Sequence, residues 1–149
     1  MDWEGVVIRP IARHEDSRGW LIELFRSDEL PEGFSPSMGY FSVTLPGVTR
    51  GPHEHRDQTD GFVFFSGSME LHLWENRPGK PSRHEVISVG AANPVFALVP
   101  PGVVHAYRNV GKVEAGVMNF PDRLYAGWGK QEEVDEIRHE NELDSPFRL

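Results

Sequence analysis

The sequence predicts an all-β fold, a sandwich or barrel in one domain. Three observations carry this. Short runs rich in Val, Ile and aromatic residues recur at close spacing, Gly (15) and Pro (12) punctuate them, and long helical patterns are few. A chain of 149 residues fits one domain, and at 38% hydrophobic and 11% aromatic it can fill a core, so global disorder is not expected.

In order, residues 5–11 are Val- and Ile-rich, and 19–25 alternate Trp20, Ile22 and Leu24 against Leu21, Glu23 and Phe25. Residues 40–45 run into a Pro46-Gly47 turn, and 60–65 are aromatic and β-branched. In 69–74, Met69, Leu71 and Leu73 share one face, opposite Glu70, His72 and Trp74. After the turn-rich 76–82 come 84–89, 95–99, 104–107 and 113–118, giving about nine or ten strands. Residues 130–141 are charged, with Val134 and Ile137 an apolar i, i+3 pair, and read as a short surface helix. Tyr125 and Trp128 read as its packing anchors.

The formal charge of −8 argues against a nucleic-acid polymer or an anionic membrane surface as partner, though a single nucleotide needs only two or three cations. With no cysteine there is no disulfide or thiolate metal site. No signal-peptide pattern and no run of eighteen apolar residues is visible, so a soluble, cytoplasmic protein is the default expectation.

Two stretches carry the chemistry. The first is His53-Glu54-His55 with Asp60 and Gly67; the second is Pro100-Pro101-Gly102-Val103-Val104-His105 with Asn109. His53 and His55, two apart on a strand, leave one face. Asp60 opens the next strand, with Phe62 and Phe64 on its face, and Gly67 fits a positive-φ turn. The Pro-Pro-Gly turn would bring His105 in from far along the chain. His53, His55, Asp60 and His105 together suit a divalent Zn, Fe, Mn, Ni or Cu, or serve as acid–base groups. His14, His72, His84 and His139 read as ordinary surface or hydrogen-bonded histidines.

The two stretches resemble the cupin signatures H-x-H-x4-[acid]-x6-G and P-x-G-x2-H-x3-N, with Asp60 where Glu is usual. More narrowly, most of the chain, from about residue 6 to about residue 127, resembles the dTDP-4-dehydrorhamnose 3,5-epimerase family. The likeness rests on Asp16-Ser17-Arg18-Gly19-Trp20 with Glu23 and Phe25, on Thr49-Arg50-Gly51-Pro52-His53, on residues 101–107, and on residues 119–125. It implies a double-stranded β-helix, the cupin jelly roll, with a core of about 6–127. Together with a C-terminal extension of about 128–149, which carries the helix expected above, residues 1–149 form one domain. It further implies a homodimer, no organic cofactor, and a sugar or sugar-nucleotide substrate.

By resemblance, His53 is the general base that takes the proton next to the sugar ketone, and Arg50 contacts the diphosphate. Arg18, Glu23 and Phe25 contact the nucleotide across the dimer on an exchanged strand. The likeness breaks at three places. The family's Lys falls near Asp60, its acid Tyr near Met118-Asn119, and His55 stands where Gln is common. Tyr125 and Tyr107 are the tyrosines close enough in sequence to supply a phenol, and a divalent ion would replace the Lys as electrophile. Catalytic His53, His105 and Tyr125, with or without metal, define an epimerase-like enzyme. The alternatives are another metal-dependent cupin, an oxygenase or isomerase, and a non-catalytic carbohydrate-binding cupin.

Overall fold

A computed structural model describes residues 2–149. Two five-stranded antiparallel sheets face each other. The first has the order β1 (Val7–Pro10), β9 (Val95–Val99), β6 (Asp60–Phe64), β11 (Ala115–Asn119), β4 (Tyr40–Thr44). The second has β12 (Ile137–Arg138), β5 (Thr49–Glu54), β10 (Val103–Asn109), β7 (Ser68–Glu75), β8 (His84–Gly90). A hairpin of β2 (Arg13–Asp16) and β3 (Gly19–Ile22) stands apart as a third, two-stranded sheet. This is the expected cupin jelly roll.

Strand parity builds the core. Phe62 and Phe64 from β6 and Met69, Leu71 and Leu73 from β7 meet Val95, Ala97 and Val99 between the sheets. Each large side chain so buried contributes about 1.5–3 kcal/mol. The opposite parity of the first sheet, Val63, Phe96 and Leu98, is covered by Phe34 and by Leu24 and Phe25 from the segment after β3. On the outer face of the second sheet Trp74, Val104 and Ala106 pack against Phe147. The turn expected at Gly67 is present, with φ 66° and an added Cβ only 2.5 Å from Ala115 Cβ.

The C-terminal segment departs from expectation. Residues 130–141 form no α-helix. Single 3-10 turns at Trp128–Lys130 and His139–Asn141 flank the short strand β12, which extends the second sheet beyond β5. The cause is tertiary. The Asp135 carboxylate accepts the backbone N–H groups of Arg56, Asp57 and Gln58 at 2.8, 2.9 and 3.0 Å. Its carbonyl accepts from His55 Nδ1. In a helix that carbonyl would be taken by the N–H four residues on, and one apolar i, i+3 pair offers little against four such bonds.

A bulge between β5 and β10 sets up the site. His105 pairs with His53 and Tyr107 with Arg50, so two steps on β10 face three on β5. The extra residue turns Arg50 and His53, three apart, toward the same space. Gly51 makes this possible: its φ is 86°, and a Cβ there would lie 2.6 Å from the His105 carbonyl. Gly51→Ala should therefore cost at least about 2 kcal/mol, combining left-handed strain with a backbone clash. Gly33→Ala, at φ 83° with nothing within 4 Å, should cost about 1 kcal/mol. Urea unfolding midpoints of the two variants measure the difference.

Candidate active site

Between the open ends of the two sheets lies a cleft of about 870 Å³. Tyr40 and Ser42 of β4 line one wall, Arg50 and His53 of β5 the other, with His55 just beyond β5. The segment carrying Asp135 and Glu136 closes a third side. His53, His55 and His105 come together as expected, with ligand atoms within 4.8 Å of one another. His53 and His55 line the cleft, while His105 and Asp60, each 1% exposed, lie beneath it.

Asp60 organises the floor. Its Oδ1 accepts from Gln58 Nε2 at 2.9 Å and Asn119 Nδ2 at 3.0 Å. Its Oδ2 faces His55 Nε2 at 2.9 Å and His105 Nε2 at 3.3 Å, the latter off the hydrogen-bond axis. The His105 ring is held by Nδ1–H donating to the Val103 carbonyl at 3.2 Å. Burial works to raise the Asp60 carboxyl, but its contacts with His105 and His55 outweigh it and hold the group well below the carboxylate range.

The two cleft-facing imidazoles are driven apart. Burial, followed by the charges of His105 and His55, pushes His53 down to about 2. For His55, burial opposes the proton, but Asp60 first and then the Asp135 carbonyl overcome it and raise the ring to about 9. His55 is thus an imidazolium donating at both nitrogens. His53 is neutral, and among the described residues no hydrogen bond engages its ring. Its nearest charged partner is Glu136, with Oε1 3.9 Å from Nδ1.

The fit to a divalent ion follows from this pattern. Three imidazoles lie close enough, but His55 has no lone pair to give, because both nitrogens carry protons toward acceptors. Asp60 serves as its ion-pair partner. As arranged, the donor set is that of a hydrogen-bonded ion pair beside a free base, so a divalent ion held by His53, His55 and His105 would first have to displace a proton from His55.

The remaining expected residues divide. Arg50 lines the cleft, held by bonds to Thr44 Oγ1 (3.0 Å) and the Val43 carbonyl (2.7 Å). Tyr125 stands at the rim, 56% exposed, beside Trp128 at 83%; neither anchors a helix, which corrects that expectation. Arg18, Glu23 and Phe25 do not reach this cleft within the chain. The Arg18 side chain is 86% exposed on the β2–β3 hairpin, paired with Asp16. Glu23 and Phe25 border a smaller cleft with Arg26, and Phe25 packs edge-on against Phe120, ring centres 5.0 Å apart.

Sequence reading missed Tyr40, Asn119, Arg123, Asp135 and Glu136 as site residues. Tyr40 and Asn119 are direct cross-strand partners of β4 and β11, and Asn119 Nδ2 also donates to Tyr40 Oη at 2.9 Å. Burial of this hydroxyl pushes it up to about 12, although the ring leaves the residue 44% exposed to the cleft. Arg123, on the cleft wall, donates to the Asp57 carbonyl at 3.2 Å. Apart from Asn119's position near the absent phenol, no local signal marks these residues.

The chain belongs to the family of polysaccharide biosynthesis C-terminal domains, whose pattern matches residues 14–131. It is similar to the probable low-salt glycan biosynthesis epimerase Agl13 of Haloferax volcanii, 32% identical over 123 residues covering 80% of this chain and 79% of that one. The spore coat polysaccharide biosynthesis protein SpsL of Bacillus subtilis is 33% identical over 125 residues, 82% of each chain. Among solved structures, a dTDP sugar isomerase from Desulfovibrio desulfuricans superposes with a TM-score of 0.84 at 21% identity, covering 97% of this chain and 90% of that one. Among the described residues no helix is long and apolar enough to cross a membrane.

Opposed shifts of the two histidines predict a stability optimum. His53 takes a proton in the unfolded chain below its ordinary 6.5 but not in the fold until about 2, so its contribution falls as pH drops through that window. His55 stabilises fully below 6.5 and loses its contribution as pH rises through about 9. Each limb is limited to about 1.4 kcal/mol per pH unit. In urea unfolding from pH 5 to 9.5, His53→Gln should flatten the acid limb. His55→Gln should remove the alkaline limb and lower the plateau by about 3 kcal/mol, because it leaves Asp60 short of its cation. An unchanged alkaline limb in His55→Gln would show that His55 is not an imidazolium.

Proposed function

We propose that this protein is a sugar-nucleotide epimerase that works through an enolate, with His53 removing the proton beside the ketone of a nucleotide-linked 4-keto-6-deoxy sugar. The observation that carries this reading is His53 itself: a neutral imidazole on the cleft wall with no bond to give up and the Glu136 carboxylate 3.9 Å from its Nδ1. Burial keeps solvent protons off the ring at working pH. It also weakens the base, and Glu136 offsets this by steadying the imidazolium as it forms. The relatives' named roles in glycan and polysaccharide biosynthesis, and the dTDP sugar isomerase of the same fold, support the substrate class.

The positive charge that the resemblance assigns to a lysine returns on His55. Asp60 lies beneath the cleft and His55 on it, so the ion pair turns its positive end toward the substrate, where an enolate oxygen would gather charge. Arg50 and Arg123 supply guanidinium forks for a diphosphate. In this proposal no metal is needed for proton removal, and two subunits exchange hairpins so that Arg18, Glu23 and Phe25 reach the neighbour's cleft. The exposed Trp20 (49%) and Leu21 (57%) on that hairpin support such docking.

The test offers dTDP- and UDP-linked 4-keto-6-deoxyglucose in D2O. Wild type should incorporate deuterium next to the ketone, and His53→Asn should slow this by at least about 100-fold. Exchange should survive chelation. Loss on chelation with recovery on adding one divalent ion would replace this mechanism with a metal-assisted one. Binding of saccharide without exchange would favour the carbohydrate-binding alternative. The solution mass should be that of a dimer, and Arg18→Ala should weaken dTDP binding about 10-fold; a monomer with unchanged binding would overturn the exchange of hairpins.

A further inference from the structure

We propose that Tyr40, on β4, is the acid that delivers a proton to the sugar from the side opposite His53. The inference rests on the enolate reading above and names the second half of its chemistry.

Inversion at a carbon requires that the proton leave on one face and return on the other. His53 stands on the second sheet and Tyr40 on the first, and both line the same cleft. A flat enolate between the walls presents one face to each. Ser42, two residues on, shares the Tyr40 wall, while Phe41 (55% exposed) and Val43 (37%) point away from it, as strand alternation requires.

The hydrogen bonding of Tyr40 fixes the direction of its proton. Its oxygen accepts from Asn119 Nδ2 at 2.9 Å, and the same amide nitrogen donates to Asp60 Oδ1 at 3.0 Å. Asp60 is an acceptor, so the amide cannot turn its oxygen that way, and its NH2 must face both partners. With its oxygen already accepting, the phenol keeps its own hydrogen to give to the cleft. Desolvation keeps the group in its protonated form.

The other tyrosines are worse placed. Tyr107 is packed edge-on against Phe62 and Phe64, with ring centres 5.9 and 5.4 Å away, and its hydroxyl lies 3.4 Å from Ser42 Oγ. Tyr125 stands in solvent at the rim.

The step balances without redox change. His53 takes the proton, the C–H electron pair becomes the enolate C=C bond, and the carbonyl π pair moves to oxygen. On return, the oxygen pair rebuilds C=O while the C=C pair takes the hydrogen of the Tyr40 hydroxyl. The phenolate regains a proton from water, and the His53 imidazolium gives one to water.

Tyr40→Phe, Tyr107→Phe and Tyr125→Phe are assayed in D2O on the same dTDP- and UDP-linked sugars, with configuration read by NMR. Tyr40→Phe should bind dTDP as wild type does and exchange the proton within a few-fold of wild type with retained configuration. It should form the epimer at least about 100-fold more slowly. Should the variant prove unstable in thermal unfolding, 3-fluorotyrosine at position 40 should change the epimerisation rate while leaving exchange unmoved. Epimer formation at the wild-type rate in Tyr40→Phe, or its loss in Tyr107→Phe or Tyr125→Phe instead, overturns the assignment and leaves the enolate reading standing. No exchange and no epimer with wild type on either sugar overturns both.

Discussion

A single buried carboxylate fixes the floor of this cleft. Asp60 is 1% exposed and contacts Gln58, His55, His105 and Asn119, from the loop before β6, from β10 and from β11. Burying an anion is costly unless its oxygens are occupied and a cation stands close. Those requirements propagate outward. The need for a cation holds the proton on His55, and the need for donors sets the rotamer of Gln58 and the orientation of the Asn119 amide. The His55 proton in turn calls for an acceptor at Nδ1, met by the Asp135 carbonyl on the C-terminal segment. One buried charge thus orders both the acid–base character of the cleft and the segment that closes it.

The jelly roll was legible because it depends on local regularities. Alternation in β6 and β7 placed Phe62, Phe64, Met69, Leu71 and Leu73 inside, and they are inside. The meeting of His53, His55 and His105 was legible from spacing and turn residues. Residues 130–141 were misread because a helical period is a local signal, whereas Asp135 spends its carboxylate on three N–H groups nearly eighty positions earlier in the chain. For the same reason nothing announced Glu136 or Tyr40. Their positions depend on β12 pairing with β5 and on β4 pairing with β11, contacts that no spacing encodes. Arg50 and His53 would fall on opposite faces by simple alternation, and only the bulge at Gly51 reconciles them.

An aspartate where a cation is expected at first suggests a site that has lost its electrophile. The depth of position 60 shows why that conclusion does not follow. A charge here reaches the cleft only through what it does to residues above it. A lysine at this depth would confront His55 and His105 and drive the proton off His55. An aspartate draws that proton on, so the positive charge sits on the cleft-lining ring of His55, wedged between two acceptors. Such a ring cannot wander as a four-carbon ammonium stem can, and its orientation is set before the substrate arrives. Fixed charge is where a protein site gains over water in stabilising an oxyanion, since no solvent dipoles need to reorganise at the moment of reaction. In the enolate reading proposed above, the Asp60–His55 pair stands in for the lysine that the resemblance implies, and its strength is tied to two acceptors that the fold itself positions.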